Sequence, residues 1–175
     1  MSIRTEIATH LTNKRLFNVG SAIPGEEVAR TMLVSGEIEA VLDPAKLAVE
    51  EDGYRLAHIR PQLDIYTSGG KLNVALDPRD KDKSAHLART DPVTDEVWDI
   101  RCTDPNARIR VFGRFTEFNV FVALTWQYRE NLQTEEDWAE ELDRFKVKWR
   151  ELFPVEPLFA AKKAEEYVSK PFKLV

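Results

Sequence analysis

The sequence is poor in the residues that staple a fold or bind a metal. Cys102 is the one cysteine among 175 residues, so no disulfide can form within the chain, and a lone thiol suits a reducing compartment better than an oxidising one. It lies in an alternating apolar run, where a small buried hydrophobe is expected rather than a reactive nucleophile. His10, His58 and His86 are too widely spaced to pair as ligands or to stand beside a serine or cysteine motif. No metal site and no nucleophilic triad are expected from them. Asp77, Asp80 and Asp82 lack the turn glycine and distal glutamate of a calcium loop. Glycine is also scarce, and Gly69-Gly70 is followed by neither the Lys-Ser/Thr pair nor the third glycine of a phosphate-binding loop, so no cofactor is announced. No apolar run approaches the ~20 residues of a membrane span. The first eleven residues carry Arg4, Glu6 and His10 and do not read as a signal peptide. These absences predict a cytoplasmic protein that folds without metal and makes no membrane contact.

What is present is an ordinary globular composition, with 43% hydrophobic and 31% charged residues. A chain of this length can bury roughly 70% of its unfolded surface, so residues 1–175 are expected to form a single α+β domain, with residues 1–24 as an N-terminal helical arm. The net charge of −5 argues against a surface given over wholly to nucleic acid but leaves room for a local cationic patch.

Hydrophobic spacing predicts the elements. Ile3, Ile7 and Leu11 recur every four residues, as on a helical stripe. Residues 26–42 read equally as a helix through Val28, Met32 and Ile38 or, after Gly36, as a strand. Residues 63–67 and 72–76 flank Gly69-Gly70 and predict a β-hairpin, because paired glycines supply the positive φ of a tight turn. Residues 97–102, 108–115 and 120–128 alternate with period two and predict a three-stranded meander. Opposing Val111 to Leu124 and Ile109 to Trp126 makes one side apolar. Thr134, followed by Glu135, Glu136 and Asp137, predicts the capped start of a helix whose Trp138, Leu142, Phe145, Trp149 and Leu152 form the apolar stripe. A second, shorter helix is expected over residues 158–169. The predicted fold is an antiparallel sheet packed against one or two C-terminal amphipathic helices, with the Thr134 helix over Ile109, Val111, Leu124 and Trp126.

The second side of the same strand pair carries Arg108, Arg110 and Arg114 around Phe112. Guanidinium forks grip phosphate and an aromatic ring can stack a base, so an exposed face of this kind is a candidate polyanion site. The bland alternative is a solvated strand face whose charges keep the sheet from sticking to others.

The segments Glu96-Val97-Trp98-Asp99-Ile100-Arg101, Ala107-Arg108-Ile109-Arg110-Val111-Phe112 and Val120-Phe121-Val122-Ala123-Leu124, continuing to Tyr128-Arg129, resemble the three C-terminal strands of RelE/ParE-type toxins. The likeness extends into the Thr134 helix, as in the phage-related branch, and covers roughly residues 96–150. It implies a small α+β fold that cleaves messenger RNA on the ribosome or inhibits DNA gyrase and is silenced by an antitoxin. It also implies that Arg101, Arg110, Tyr128 and Arg129 bind phosphate and orient an attacking 2′-hydroxyl without a metal. The residues themselves leave open whether the chain is an enzyme. The first expectation is a noncatalytic protein-interaction or accessory module that acts through a protein partner or self-association, and the alternative is a RelE/ParE-like toxin or an inactive relative acting on RNA or gyrase.

Overall fold

The computed structural model describes residues 2–49, 51–103, 106–154 and 158–175. In chain order the elements are α1 (Ile3–Thr12), β1 (Leu16–Asn18), β2 (Thr31–Ser35), α2 (Gly36–Ala40), α3 (Pro44–Leu47), α4 (Gly53–Leu56), α5 (Ile59–Thr67), β3 (Leu72–Ala75), β4 (Leu87–Arg89), β5 (Trp98–Cys102), β6 (Ile109–Glu117), β7 (Val120–Tyr128), α6 (Glu135–Leu152), α7 (Ala164–Tyr167) and β8 (Phe172–Leu174). The strands form one eight-stranded sheet in the order β1-β2-β7-β6-β5-β4-β3-β8. The α+β class is as expected, but the sheet is mixed rather than antiparallel. The β2–β7, β3–β4 and β3–β8 pairs are parallel, and the β4-β5-β6-β7 centre is antiparallel. Nor are the helices confined to the C-terminal end, since α1 to α5 all precede β3.

The two-glycine signal misled. Residues 63–67 belong to α5, whose Ile59, Leu63 and Tyr66 recur at helical spacing and are all buried, and Gly69 takes a φ of +74° just past that helix. A glycine beyond a helix end and a glycine in a hairpin turn meet the same need for positive φ, so the pair alone does not tell them apart. Residues 26–42 hold both expected states in reverse order, with strand β2 first and helix α2 opening at Gly36 under a cap from the Ser35 side chain. The meander is present as β5, β6 and β7, joined between the last two at Phe118 and Asn119.

Its register differs from the expected one. Val111 opposes Trp126, Ile109 opposes Tyr128, and a β-bulge falls where Phe112 faces Thr125 while Gly113 faces Ala123. The extra residue, Leu124, turns to the same side as Thr125: Leu124 packs in the α6 core, and the Thr125 hydroxyl donates to Glu141 of α6 at 2.7 Å. Gly113 is needed because a Cβ there would lie 2.3 Å from the Phe121 ring.

Both faces of the sheet are covered. Ile109, Val111, Phe115 and Ala123 join Ile38, Leu56, Ile59 and Tyr66 in one core, whereas Phe112, Val122 and Leu124 join Leu142, Phe145 and Trp149 of α6 in the other. Of the four residues expected beneath the Thr134 helix, only Leu124 lies there. Ile3, Ile7 and Leu11 of α1 pack against the same core as α6. The capping box at Thr134 and Asp137 is formed, and Arg144 ties α6 to Glu37 of α2 at 3.0 Å while pairing with Glu141 of its own helix at 2.9 Å. The later helix is a single turn, α7, from which Tyr167 reaches into the first core.

Phe145 has no exposed surface and stands at the centre of the α6 core. Truncation to alanine should therefore cost ~3–5 kcal/mol in urea unfolding. A loss below ~1 kcal/mol would mean that the helix does not depend on this seat.

Candidate functional site: a cationic cluster beside a cleft

The strand arginines do not share an exposed face. Phe112 is fully buried, and its ring meets Trp138 edge-on at 5.8 Å. Arg114 is buried under α6: its guanidinium lies 5.3 Å from the Phe145 ring centre and 5.0 Å from that of Trp149, and its Nε donates to the Asp95 carbonyl at 3.0 Å. Burial pushes Arg114 down to about 10. These two residues are structural. Arg108 is exposed just before β6, and its charge acts on Glu130 rather than on the other strand arginines. Tyr128 turns to the opposite face of the sheet, where the Arg55 guanidinium covers its ring at 4.2 Å. Alternation says which residues are on opposite sides, not that either side is wet, and here neither is.

Arg101 and Arg110 do come together, around a carboxylate that alternation alone did not mark, and Arg129 is near enough for its charge to act on Arg110. Arg101 and Arg110 are direct register partners across β5 and β6. Asp99, two residues before Arg101 on the same side of β5, is fully buried. Its Oδ2 lies 3.0 Å from Arg110 Nε and 3.5 Å from Arg101 Nε. Neither guanidinium N–H is aimed along these lines, so both Asp99 oxygens and both Nε atoms lack a hydrogen-bond partner while sealed from solvent. A fourth cation arrives from the connection between β3 and β4: Lys81 is held below the usual lysine range by burial, assisted by Arg101, Arg110 and Arg129, with Asp99 opposing. Burial and the same neighbours lower Arg110, again against Asp99. The cluster therefore sets two buried guanidinium groups against one buried carboxylate, with Lys81 and Arg129 partly exposed beside them. An alternation of Asp99 with Arg101 was visible in sequence, but nothing in it marked Lys81, which stands in a solvated-looking charge run.

Lys81 also lines a cleft of about 470 Å³ between α6 and the segments around Pro78 and Pro92. Trp138, Ala139 and Leu142 form its helical wall, and Thr90, Asp95 and Glu135 supply oxygen. Lys146, at one side, is neutralised by Asp143 at 2.8 Å and by Asp95 at 3.1 Å. Trp138 links the two features, since the Arg129 guanidinium lies 6.0 Å from its ring centre.

No match accompanies this geometry. Neither a protein-family model, nor a curated protein, nor a solved structure matches the chain. Among the described residues no group of three or more His, Cys, Asp or Glu side chains is arranged to hold a metal ion, and no helix is long and apolar enough to cross a membrane. Cys102 is buried in β5, where burial pushes its thiol up to about 12, away from nucleophilic use.

Asp99→Asn would leave the buried guanidinium groups without their counter-charge and should destabilise the fold by about 3 kcal/mol. In a double-mutant cycle with Arg110→Met the two losses should be far from additive, and additive losses would show that the pair does not act as a pair.

His86 gives a pH dependence. Both its ring nitrogens are sealed from solvent, and burial, opposed by an interaction with the Gln62 backbone, pushes it down to about 4. The unfolded ring titrates near 6.5, so between these values the unfolded state binds more protons. Stability is full above about pH 6.5 and falls as the pH drops toward 4, with His86 contributing about 1–3 kcal/mol. The difference in unfolding free energy between the wild type and His86→Leu should shift by that amount, in the variant's favour, from pH 7 to pH 4.5.

Proposed function

We propose that this protein is a noncatalytic binding module whose ligand presents a phosphate or similar anionic group to Lys81, Arg101, Arg110 and Arg129. The observation that carries the reading is the pair of buried guanidinium groups, Arg101 and Arg110, that share the single buried carboxylate of Asp99 with Lys81 close by. Arg101 and Arg110 share the one Asp99 carboxylate and donate from their Nη1 atoms to the carbonyls of Asp82 and Ile109, so an anion seated at Lys81 would add counter-charge to a cluster that holds more positive than negative charge. Lys81 and Arg129 are partly exposed and form the accessible rim, while Arg101 and Arg110 lie behind them and raise the local potential. A small molecule and a protein partner are the two carriers of such a group that this reading admits. The exposed Val49 and Tyr54, beside α3 and α4, are apolar surface of the kind a protein partner or a second copy covers.

The second reading is a RelE/ParE-like toxin or an inactive relative. Its support is that Arg101 and Arg110, two of the four residues the resemblance implies, stand together, with Arg129 near enough for its charge to act on Arg110. Tyr128 does not join them. In that reading the anion is the RNA backbone.

Thermal unfolding in phosphate, pyrophosphate and chloride at matched ionic strength tests the first reading. Phosphate and pyrophosphate should raise Tm saturably, the gain should vanish in Lys81→Glu and Arg129→Glu, and Lys14→Glu on the exposed N-terminal side should leave it intact. A gain no larger than that in chloride, or one that survives both rim substitutions, overturns the proposal. Cleavage of ribosome-bound messenger RNA, lost in Arg110→Ala, would favour the toxin reading instead.

A further inference from the structure

The geometry points to a mononucleotide as the ligand of the cleft, with its phosphate at Lys81 and its base against Trp138; this rests on the anion site proposed above and extends it. The cleft's volume, about 470 Å³, falls in the range of about 300–1,000 Å³ that holds small ligands and is far too small for a folded partner. Its walls divide by chemistry. Trp138 and Leu142 on α6, with Pro78 and Pro92 opposite, offer apolar and aromatic surface. Three cations line the cleft: Lys146 is held by two carboxylates, Arg79 is well exposed and pairs loosely with Asp91, and Lys81 is the one beside the Asp99 cluster. A ligand that satisfies both must join a flat, largely apolar ring to a phosphate.

The remaining polar groups select among such ligands. Asp91 and Glu135 line the same cleft and can only accept hydrogen bonds when ionised. Asp91 has a loose ion pair with Arg79 at 3.7 Å, with both side chains well exposed. Ribose hydroxyls and the amino group of a base have hydrogens to donate to these carboxylates. The ring of a phosphorylated tyrosine has none and would leave them facing apolar carbon. The carboxylates also disfavour a polymer, since a second and third phosphate running along the cleft would meet Asp91, Asp95, Glu135 and Asp143.

The proposal is tested by titrating the full chain with AMP, ribose 5-phosphate, inorganic phosphate, adenosine and phosphotyrosine, following both heat and tryptophan fluorescence. AMP should bind at least about tenfold more tightly than ribose 5-phosphate or phosphate, the margin that base stacking supplies. It should quench fluorescence in the wild type and not in Trp138→Leu. Because Trp138 also touches Phe112 and Arg129, a second variant guards against a folding effect. Ala139→Trp adds bulk to the cleft from an exposed helical position, and it should abolish the AMP margin without lowering the melting temperature of the ligand-free protein. Equal affinities for AMP and ribose 5-phosphate overturn the nucleotide assignment and leave the anion site standing. Absence of binding by every phosphate compound overturns both. Adenosine binding as tightly as AMP, phosphotyrosine matching AMP, or binding of single-stranded RNA without binding of AMP each overturns the assignment too.

Discussion

One long helix cannot cover an eight-stranded sheet. An α-helix is about 10 Å wide with its side chains and strands lie about 4.8 Å apart, so a single helix shields about two strands. On its side of the sheet α6 has α1 for company, and the two share a core with Leu16 of β1, Leu33 of β2, Val122 and Leu124 of β7 and Phe112 of β6. Beyond that boundary the same face carries Ala88 of β4 and Ala75 of β3, small residues that pack with Ala85 of the connection before β4 and with Val175 rather than with a helix. Asp99 and Arg101 sit at the seam between the two regimes. The cleft beside α6 and the polar cluster have the same origin, which is the edge of the helical cover.

The opposite face has no such edge near the centre. Tyr66 of α5, Trp98, Phe115, Phe121 and Tyr167 form a run of ring contacts with centroids 4.8–6.5 Å apart. Arg30, buried among carbonyls, fastens this layer: it donates to Gly70 at 2.9 Å, just beyond α5, and to Ser169 at 2.8 Å in the C-terminal segment. With the meander enclosed from both sides, a charged side chain on β5 or β6 has no solvent to reach at mid-strand. It must be paired, as Arg110 is with Asp99, or laid against rings and a carbonyl, as Arg114 is.

Elements whose signals are local were legible in the sequence. The α6 cap and stripe lie within a few residues of one another, and so do the alternating runs of β5, β6 and β7; each appears at its expected place. The parallel pairings of β2 with β7 and β3 with β8 join segments some 90 to 100 residues apart, and no spacing within either segment encodes them. The bulge at Leu124 moved the faces of β7 by one residue, and the glycine beside it, Gly113, stands on the facing strand, so strict alternation along β7 groups Leu124 with Trp126. The site was half legible for a related reason. Arg101 and Arg110 stand in strands whose pairing the alternation gives, whereas Lys81 and the cleft depend on where a loop settles over the uncovered half of the sheet.

The distribution of charge bears on what such a site can receive. The chain as a whole is acidic, with 30 carboxylates against 25 lysines and arginines, yet part of its positive charge is drawn inward around Asp99. Every cation buried in this way leaves the exterior more negative. A long polyanion approaching from solution meets that exterior over many Debye lengths, each about 8 Å at physiological salt, and is repelled along most of its contour. A small anion inside the cleft is within one such length of Lys81 and feels chiefly the local field, which the low dielectric of the surroundings strengthens. The same amino-acid composition thus sets a repulsive field against a long polyanion over most of its contour, because part of the positive charge stands inside the fold instead of on its surface.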